Sequence, residues 1–170
     1  MKLRRFDPDM DFENIKSWIT DERSHAMWCA DRFQYPLDKE RFISVLSEMG
    51  QRTGDEPFVA AMDDGKAVGF LCYSFNHDIG EGKLKFVIVD PEYRGKGIAQ
   101  EMLRLIISHA FEDAETKRVS LIVFSHNPRA KKCYEKAGFT ERKTDNCQGF
   151  AYKDEFWGRC NMVIERNLGS

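Results

Sequence analysis

The sequence predicts a mixed α/β domain, of the α+β kind, and three observations carry that prediction. Short apolar runs bounded by turn residues, such as FVAAM and VSLIVF, read as strands. Other segments repeat their apolar residues at helical spacing. The two kinds precede and interleave with one another, and no linker, repeat or low-complexity tract divides them, so residues 1–170 are expected to form a single domain.

A strand is expected over residues 2–6. In the following DPDMDFENIKSWIT, Phe12, Ile15, Trp18 and Ile19 share a helical stripe behind acidic capping candidates. A second helix is expected in LDKERFISVLSEM, with Phe42, Val45, Leu46 and Met49 on one face. FVAAM and AVGFLCYSF, joined by DDGK, read as a β-hairpin. After the loop NHDIGEG, the strand KLKFVIV has a continuous apolar end that suggests burial on both faces, and it stops at Asp90 and Pro91. From Gly97 to about residue 114 a helix carries Ile98, Met102, Leu105, Ile106 and Ile107. VSLIVF is the next buried strand, and the helix in NPRAKKCYEKAGF ends at Gly138. Final strands are expected over residues 139–142 and 160–165, with the aromatic segment GFAYKDEFW between them.

Composition narrows the function. Charged residues make up 32% of the chain, yet the net charge is only -2, so no global attraction draws it to nucleic acid or to an acidic membrane surface. Neither partner is expected, and an anion site must be local. Cys29, Cys72, Cys133, Cys147 and Cys160 are scattered and odd in number, which argues against a disulfide framework and against a metal site. The opening MKLRRFDPDMDF lacks the apolar run of a signal peptide, and no stretch reaches membrane-span length. A cytoplasmic location is expected.

The local anion site is RGKGIA. It lies between a strand and a helix, where successive backbone N–H groups meet the positive end of a helix dipole. Gly95 and Gly97 allow a tight turn and remove the β-carbons that would keep a phosphate away. A nucleotide P-loop would need a glycine where Asp90 stands and Ser or Thr where Gly97 stands, and a dinucleotide fingerprint would need a glycine at Gln100. Both nucleotide readings fail on residue identity. A glycine turn that merely connects strand to helix is the alternative.

A further pattern bears on that choice. VIVDPEYRGKGIA resembles motif A of the GNAT superfamily of N-acetyltransferases, its signature falling on Arg94, Gly97 and Ala99. NPRAKKCYEKAGF is similar to a second segment of the same superfamily, carried by Asn127, Ala130, Tyr134, Gly138 and Phe139. The resemblance spans roughly residues 57–142. It implies the GNAT acyl-CoA fold, a mixed and mostly antiparallel sheet of six to seven strands with helices on both sides. It also implies transfer of an acetyl group from acetyl-CoA to a primary amine, on a small molecule or a protein N-terminus, in a ternary complex.

Carried onto this chain, the resemblance assigns the pyrophosphate of coenzyme A to the N–H groups of Arg94, Gly95, Lys96, Gly97, Ile98 and Ala99. The pantetheine arm falls to the backbone of Val87, Ile88 and Val89, in a slot where this strand splays from VSLIVF. Asn127 would hydrogen-bond the cofactor and Arg129 would neutralise its 3'-phosphate. Tyr134 would protonate the departing thiolate, and a backbone N–H near Val87 or Ile88, on a bulged strand, would polarise the acetyl carbonyl.

Many relatives carry a glutamate early in the motif-A strand as general base, whereas this chain has Lys83 and Lys85. Glu81, His77, His126 and a water relay stay open as routes for the proton. The missing glutamate also motivates a second reading, an acyl-CoA binding or sensing domain without turnover. The acceptor pocket is sought among residues 150–157, with Asp154 and Glu155, and around Trp18 and Trp28. A homodimer is plausible because many relatives pair.

Overall fold

The computed structural model describes residues 1–144 and 148–167. Along the chain run β1 (Lys2–Arg5), α1 (Pro8–Ser17), α2 (Glu22–Cys29), α3 (Lys39–Thr53), β2 (Glu56–Ala61), β3 (Ala67–Asn76) and β4 (Glu81–Val89). Then come α4 (Ile98–Glu112), β5 (Arg118–Phe124), α5 (Pro128–Lys136), β6 (Thr140–Glu141), β7 (Phe150–Tyr152), β8 (Glu155–Trp157) and β9 (Arg159–Glu165). Seven strands form one sheet in the order β1-β2-β3-β4-β5-β9-β6, and β7 and β8 make a separate hairpin. All neighbours in the large sheet are antiparallel except β4 and β5, which are parallel.

Alternation along the strands sorts the apolar residues between two cores. Phe58, Ala60, Val68, Leu71 and Leu84 pack with Met102, Leu103 and Ile106 of α4 and with Tyr134 of α5. Val59, Phe70 and Cys72 face the other way, against Phe12 and Ile15 of α1 and Phe42 and Leu46 of α3. Helices thus cover both sides. Capping places their starts: Asp7, Asp21 and Asp38 each accept hydrogen bonds from backbone N–H groups of the helix that follows. Gly54, with φ of 69°, ends α3.

Several elements differ from expectation: β7 and β8 form a hairpin within the aromatic segment, and the ends of β1, β6 and β9 shift by a residue. The helix α2 was not foreseen as a separate element, because it is only eight residues long and ends in left-handed Ala30 rather than a glycine. Its signals were Asp21 as cap and the buried trio His25, Ala26 and Cys29. The strand β4 begins at Glu81 instead of residue 83, since Gly82 and Lys83 already pair with β5. The helix α4 starts at Ile98, with Gly97 as its cap.

No disulfide joins Cys29, Cys72, Cys133 and Cys160, whereas Cys147 lies outside the described residues. Among the described residues, no helix is long and apolar enough to cross a membrane and no group of three His, Cys, Asp or Glu side chains could hold a metal ion.

Candidate functional site

The parallel partnership of β4 and β5 is short. It comprises Glu81 with Arg118, Gly82 with Val119 and Lys83 with Ser120, and goes no further. Beyond Lys83, β4 stays with β3 while β5 stays with β9 up to Phe124. The backbone edge of Leu84, Lys85, Phe86, Val87, Ile88 and Val89 that faces β5 therefore has no strand partner, and a wedge opens toward the C-terminal ends of both strands.

A β-bulge lies on that free stretch. Phe70 pairs with Ile88 and Cys72 with Lys85, so Phe86 and Val87 together stand opposite Leu71. Phe86 has φ of 56°, a left-handed conformation that costs a non-glycine residue about 1–2 kcal/mol. Two contacts, one from α2 and one from the loop that follows it, hold it. The Trp28 indole Nε1–H donates to the Phe86 carbonyl at 2.9 Å, and the Phe86 ring lies 4.8 Å from that of Phe33, on which Trp28 stacks at 5.4 Å. A bulge of this kind turns a backbone N–H out of the ladder.

At the wide end of the wedge the chain makes the glycine turn. The buried Asp90 carboxylate accepts from Glu92 N–H, a 3-10 turn runs over Pro91–Tyr93, and Arg94 is extended. Gly95 and Gly97 have φ of 76° and 78°, and a β-carbon on either would meet nothing within 4 Å. These glycines are thus required by backbone conformation, and the space beside them is open. Gly97 caps α4 without a side-chain hydrogen bond, so the first-turn N–H groups point at that space with no cap.

The helix α5 closes the third side. Asn127 caps it, its Oδ1 accepting from Ala130 N–H at 3.2 Å, which already commits one of the polar atoms expected to face a cofactor. Two turns on, Tyr134 is 9% exposed and shares a core cluster with Leu84 and Val89 of β4 and Val123 of β5. Burial pushes its phenol well above the ordinary tyrosine range, so the hydroxyl stays protonated at neutral pH. Gln100 Nε2 ties α4 to α5 through the Cys133 carbonyl at 2.8 Å. Arg94, Lys96 and Arg129 are exposed around this rim.

The base candidates are separated by the fold. Glu81 is not a loop residue: it is a buried member of β4 at the narrow end of the wedge, where its carboxylate takes two hydrogen bonds from Arg142, at 2.7 and 2.9 Å. These hydrogen bonds hold it below the usual glutamate range. His77 sits at that same end, exposed beside Glu115. His126 alone stands at the wide end, just before Asn127, with its ring 6.2 Å from that of Trp157.

Of the aromatic residues expected to line an acceptor pocket, Trp18 belongs to the core beneath α1, 4% exposed. Trp157 is fully buried beneath the hairpin, stacked on Tyr152 at 4.8 Å and packed against Phe124. The hairpin docks on α2, where Arg23 lies over the Trp157 ring and pairs with Glu155. Glu155 is thereby committed. A bulge was expected near Val87 or Ile88, but the left-handed Phe86 and its clamp from Trp28 could not be foreseen, since nothing marks a phenylalanine as left-handed.

A profile of the acetyltransferase (GNAT) family matches residues 12–139. A spermine/spermidine N(1)-acetyltransferase of Bacillus subtilis (strain 168) is 33% identical over 132 residues, covering 74% of this chain and 86% of that protein. An uncharacterized N-acetyltransferase of the same organism, YycN, is 41% identical over 143 residues, covering 78% and 90%. The crystal structure of spermidine N-acetyltransferase from Vibrio cholerae in complex with CoA and spermine matches the fold with a TM-score of 0.77, over 96% of this chain and 94% of that chain, at 19% identity. Wedge, uncapped helix and sequence agree: the chain belongs to the acetyltransferase (GNAT) family.

Proposed function

We propose that this acetyltransferase holds acetyl-CoA in the wedge between β4 and β5 and passes the acetyl group to a primary amine. The observation that carries the reading is the unpaired edge of β4 running from the bulge to the uncapped start of α4. Pantetheine supplies the hydrogen bonds a neighbouring strand would make to Val87, Ile88 and Val89. Its pyrophosphate meets the N–H groups of Arg94, Gly95, Lys96, Gly97, Ile98 and Ala99. Asn127, through its side-chain N–H groups, and Arg129 complete the cofactor's surroundings.

The amine has a reference pKa near 10 and must lose a proton before attack, whereas the departing thiolate, near 8.5, gains one. Nitrogen bonds to the acetyl carbon, the carbonyl electrons collect on oxygen near the Val87 or Ile88 N–H, and their return breaks the carbon–sulfur bond. Tyr134 gives its proton to sulfur and the amine's proton leaves through water or His126. Holding amine and thioester together supplies much of the acceleration.

Polyamines, named for the Bacillus subtilis spermine/spermidine N(1)-acetyltransferase and the Vibrio cholerae spermidine N-acetyltransferase, open the acceptor panel. The test is release of coenzyme A thiol with amines of varied charge, beside calorimetry with acetyl-CoA. Binding and thiol release together support the reading; acetyl-CoA failing to bind overturns it. A homodimer belongs to the same proposal, and light scattering distinguishes it from a 19.8 kDa monomer.

A further inference from the structure

On the side of the sheet that carries α1, α2 and α3, these helices lie over β1 through β4, leaving β5 and β9 partly open. Strand register brings Lys83, Lys85, Arg118, Arg142 and Arg159 to this side with Glu81 and Glu165, while Asp55 reaches in from the end of α3. Each carboxylate is already engaged. Asp55 pairs with Lys85 at 3.1 Å, Glu81 with Arg142 at 2.7 Å and Glu165 with Arg118 at 3.1 Å. The Asn161 Oδ1 accepts from Arg142 as well.

Two cations are left over. Among the described residues, neither Lys83 nor Arg159 has a hydrogen bond or an ion pair; Arg159 lies over the Phe124 ring at 5.9 Å. Lys83 is half-buried beside Ser120, and its ammonium is held below the ordinary lysine range by burial and then Lys85, against the pull of Asp55, with smaller opposing effects from Arg159 and Glu81. Between the two lies Ile122, 42% exposed in the middle of a central strand. Lys83 stands level with Ser120, Arg159 level with Phe124 and Ile122 midway, so the pair brackets about 13 Å of strand with an apolar floor.

Resting on the acetyltransferase reading, we propose that the acceptor is an amine bearing an anionic group, a carboxylate or phosphate, drawn by the positive charge of Lys83 and Arg159 while its apolar chain lies against Ile122. A half-buried cation with no direct ion pair gains from an anion and repels a second cation. Polycations, the substrates named for the spermine/spermidine and spermidine acetyltransferases, are thereby disfavoured on this wall.

Three acceptors of equal chain length separate the possibilities: 6-aminohexanoate, hexylamine and 1,6-diaminohexane. Thiol release is expected to give kcat/KM falling in that order, by at least about tenfold from first to last. Lys83→Met with Arg159→Met, and separately Lys83→Gln, should raise KM for 6-aminohexanoate and erase the order while acetyl-CoA affinity stays. Diamine turnover equal to or better than that of 6-aminohexanoate overturns the proposal but leaves the acetyltransferase reading intact, whereas loss of acetyl-CoA binding by the wild type overturns the latter. If acetyl-CoA binds and no acceptor turns over, calorimetry of the CoA-loaded protein decides: tighter binding of 6-aminohexanoate supports the proposal, and equal or absent binding refutes it.

Discussion

Replacing Trp28 by phenylalanine tests whether the bulge in β4 takes part in the chemistry. The change keeps a ring against Phe33 and removes the N–H that Phe86 O accepts at 2.9 Å. A partly buried carbonyl left without its partner costs about 1–3 kcal/mol, comparable to the roughly 1–2 kcal/mol stored in the left-handed backbone of Phe86. The balance that holds the bulge is therefore lost, and the strand relaxes toward regular pleat. Stability should fall, with a Tm lower by roughly 3–10 °C for a chain of this size. If the Val87 or Ile88 N–H meets the thioester carbonyl, kcat should fall by about 10-fold to 100-fold, while the calorimetric affinity for acetyl-CoA, set mainly by the glycine turn, stays nearly unchanged. The assay is thiol release at saturating acetyl-CoA beside a melting curve of the same preparation. A lower Tm with an unaltered kcat would refute the reasoning and leave Trp28 a packing residue.

Other perturbations reach different parts of the account. Tyr134→Phe should lower kcat by roughly 100-fold with cofactor affinity retained; equal turnover returns Tyr134 to the core cluster it shares with Leu84 and Val123. His126→Gln should lower turnover if the histidine relays the amine's proton, and unchanged turnover assigns that path to water. Glu81→Gln leaves Arg142 without its carboxylate and should cost about 1–3 kcal/mol, measured by denaturant unfolding. Because the folded protein holds Glu81 below the usual glutamate value, that contribution is complete above about pH 4.3 and fades as pH falls through the folded value. The Tm difference between wild type and Glu81→Gln should accordingly shrink in acid; a difference constant with pH contradicts the pairing.

Much of the fold was legible because its signals are local. The stripe from Ile98 to Ile107, the hairpin turn at DDGK and the stop at Gly138 each declare themselves within a few residues, as does the glycine turn at Gly95 and Gly97. The parts that escaped depend on distant partners. Glu81 reads as a loop residue until Arg142, 61 positions away, is brought beside it. The conformation of Phe86 is set by Trp28 on α2 and Phe33 in the loop after it, which precede it by more than fifty residues. The unpaired state of Lys83 follows only when the partners of Asp55, Glu81 and Glu165 are known.

The central claim is that the uncapped start of α4 and the free edge of β4 hold acetyl-CoA, and calorimetric titration of the wild type and of Gly97→Glu tests it most directly. The wild type is expected to bind acetyl-CoA with a dissociation constant on the order of micromolar and to ignore ATP and NAD. The folded variant, with a carboxylate beside the pyrophosphate and a side chain at φ of 78°, is expected to show no binding. Undiminished affinity in Gly97→Glu, or no binding by the wild type, would contradict it.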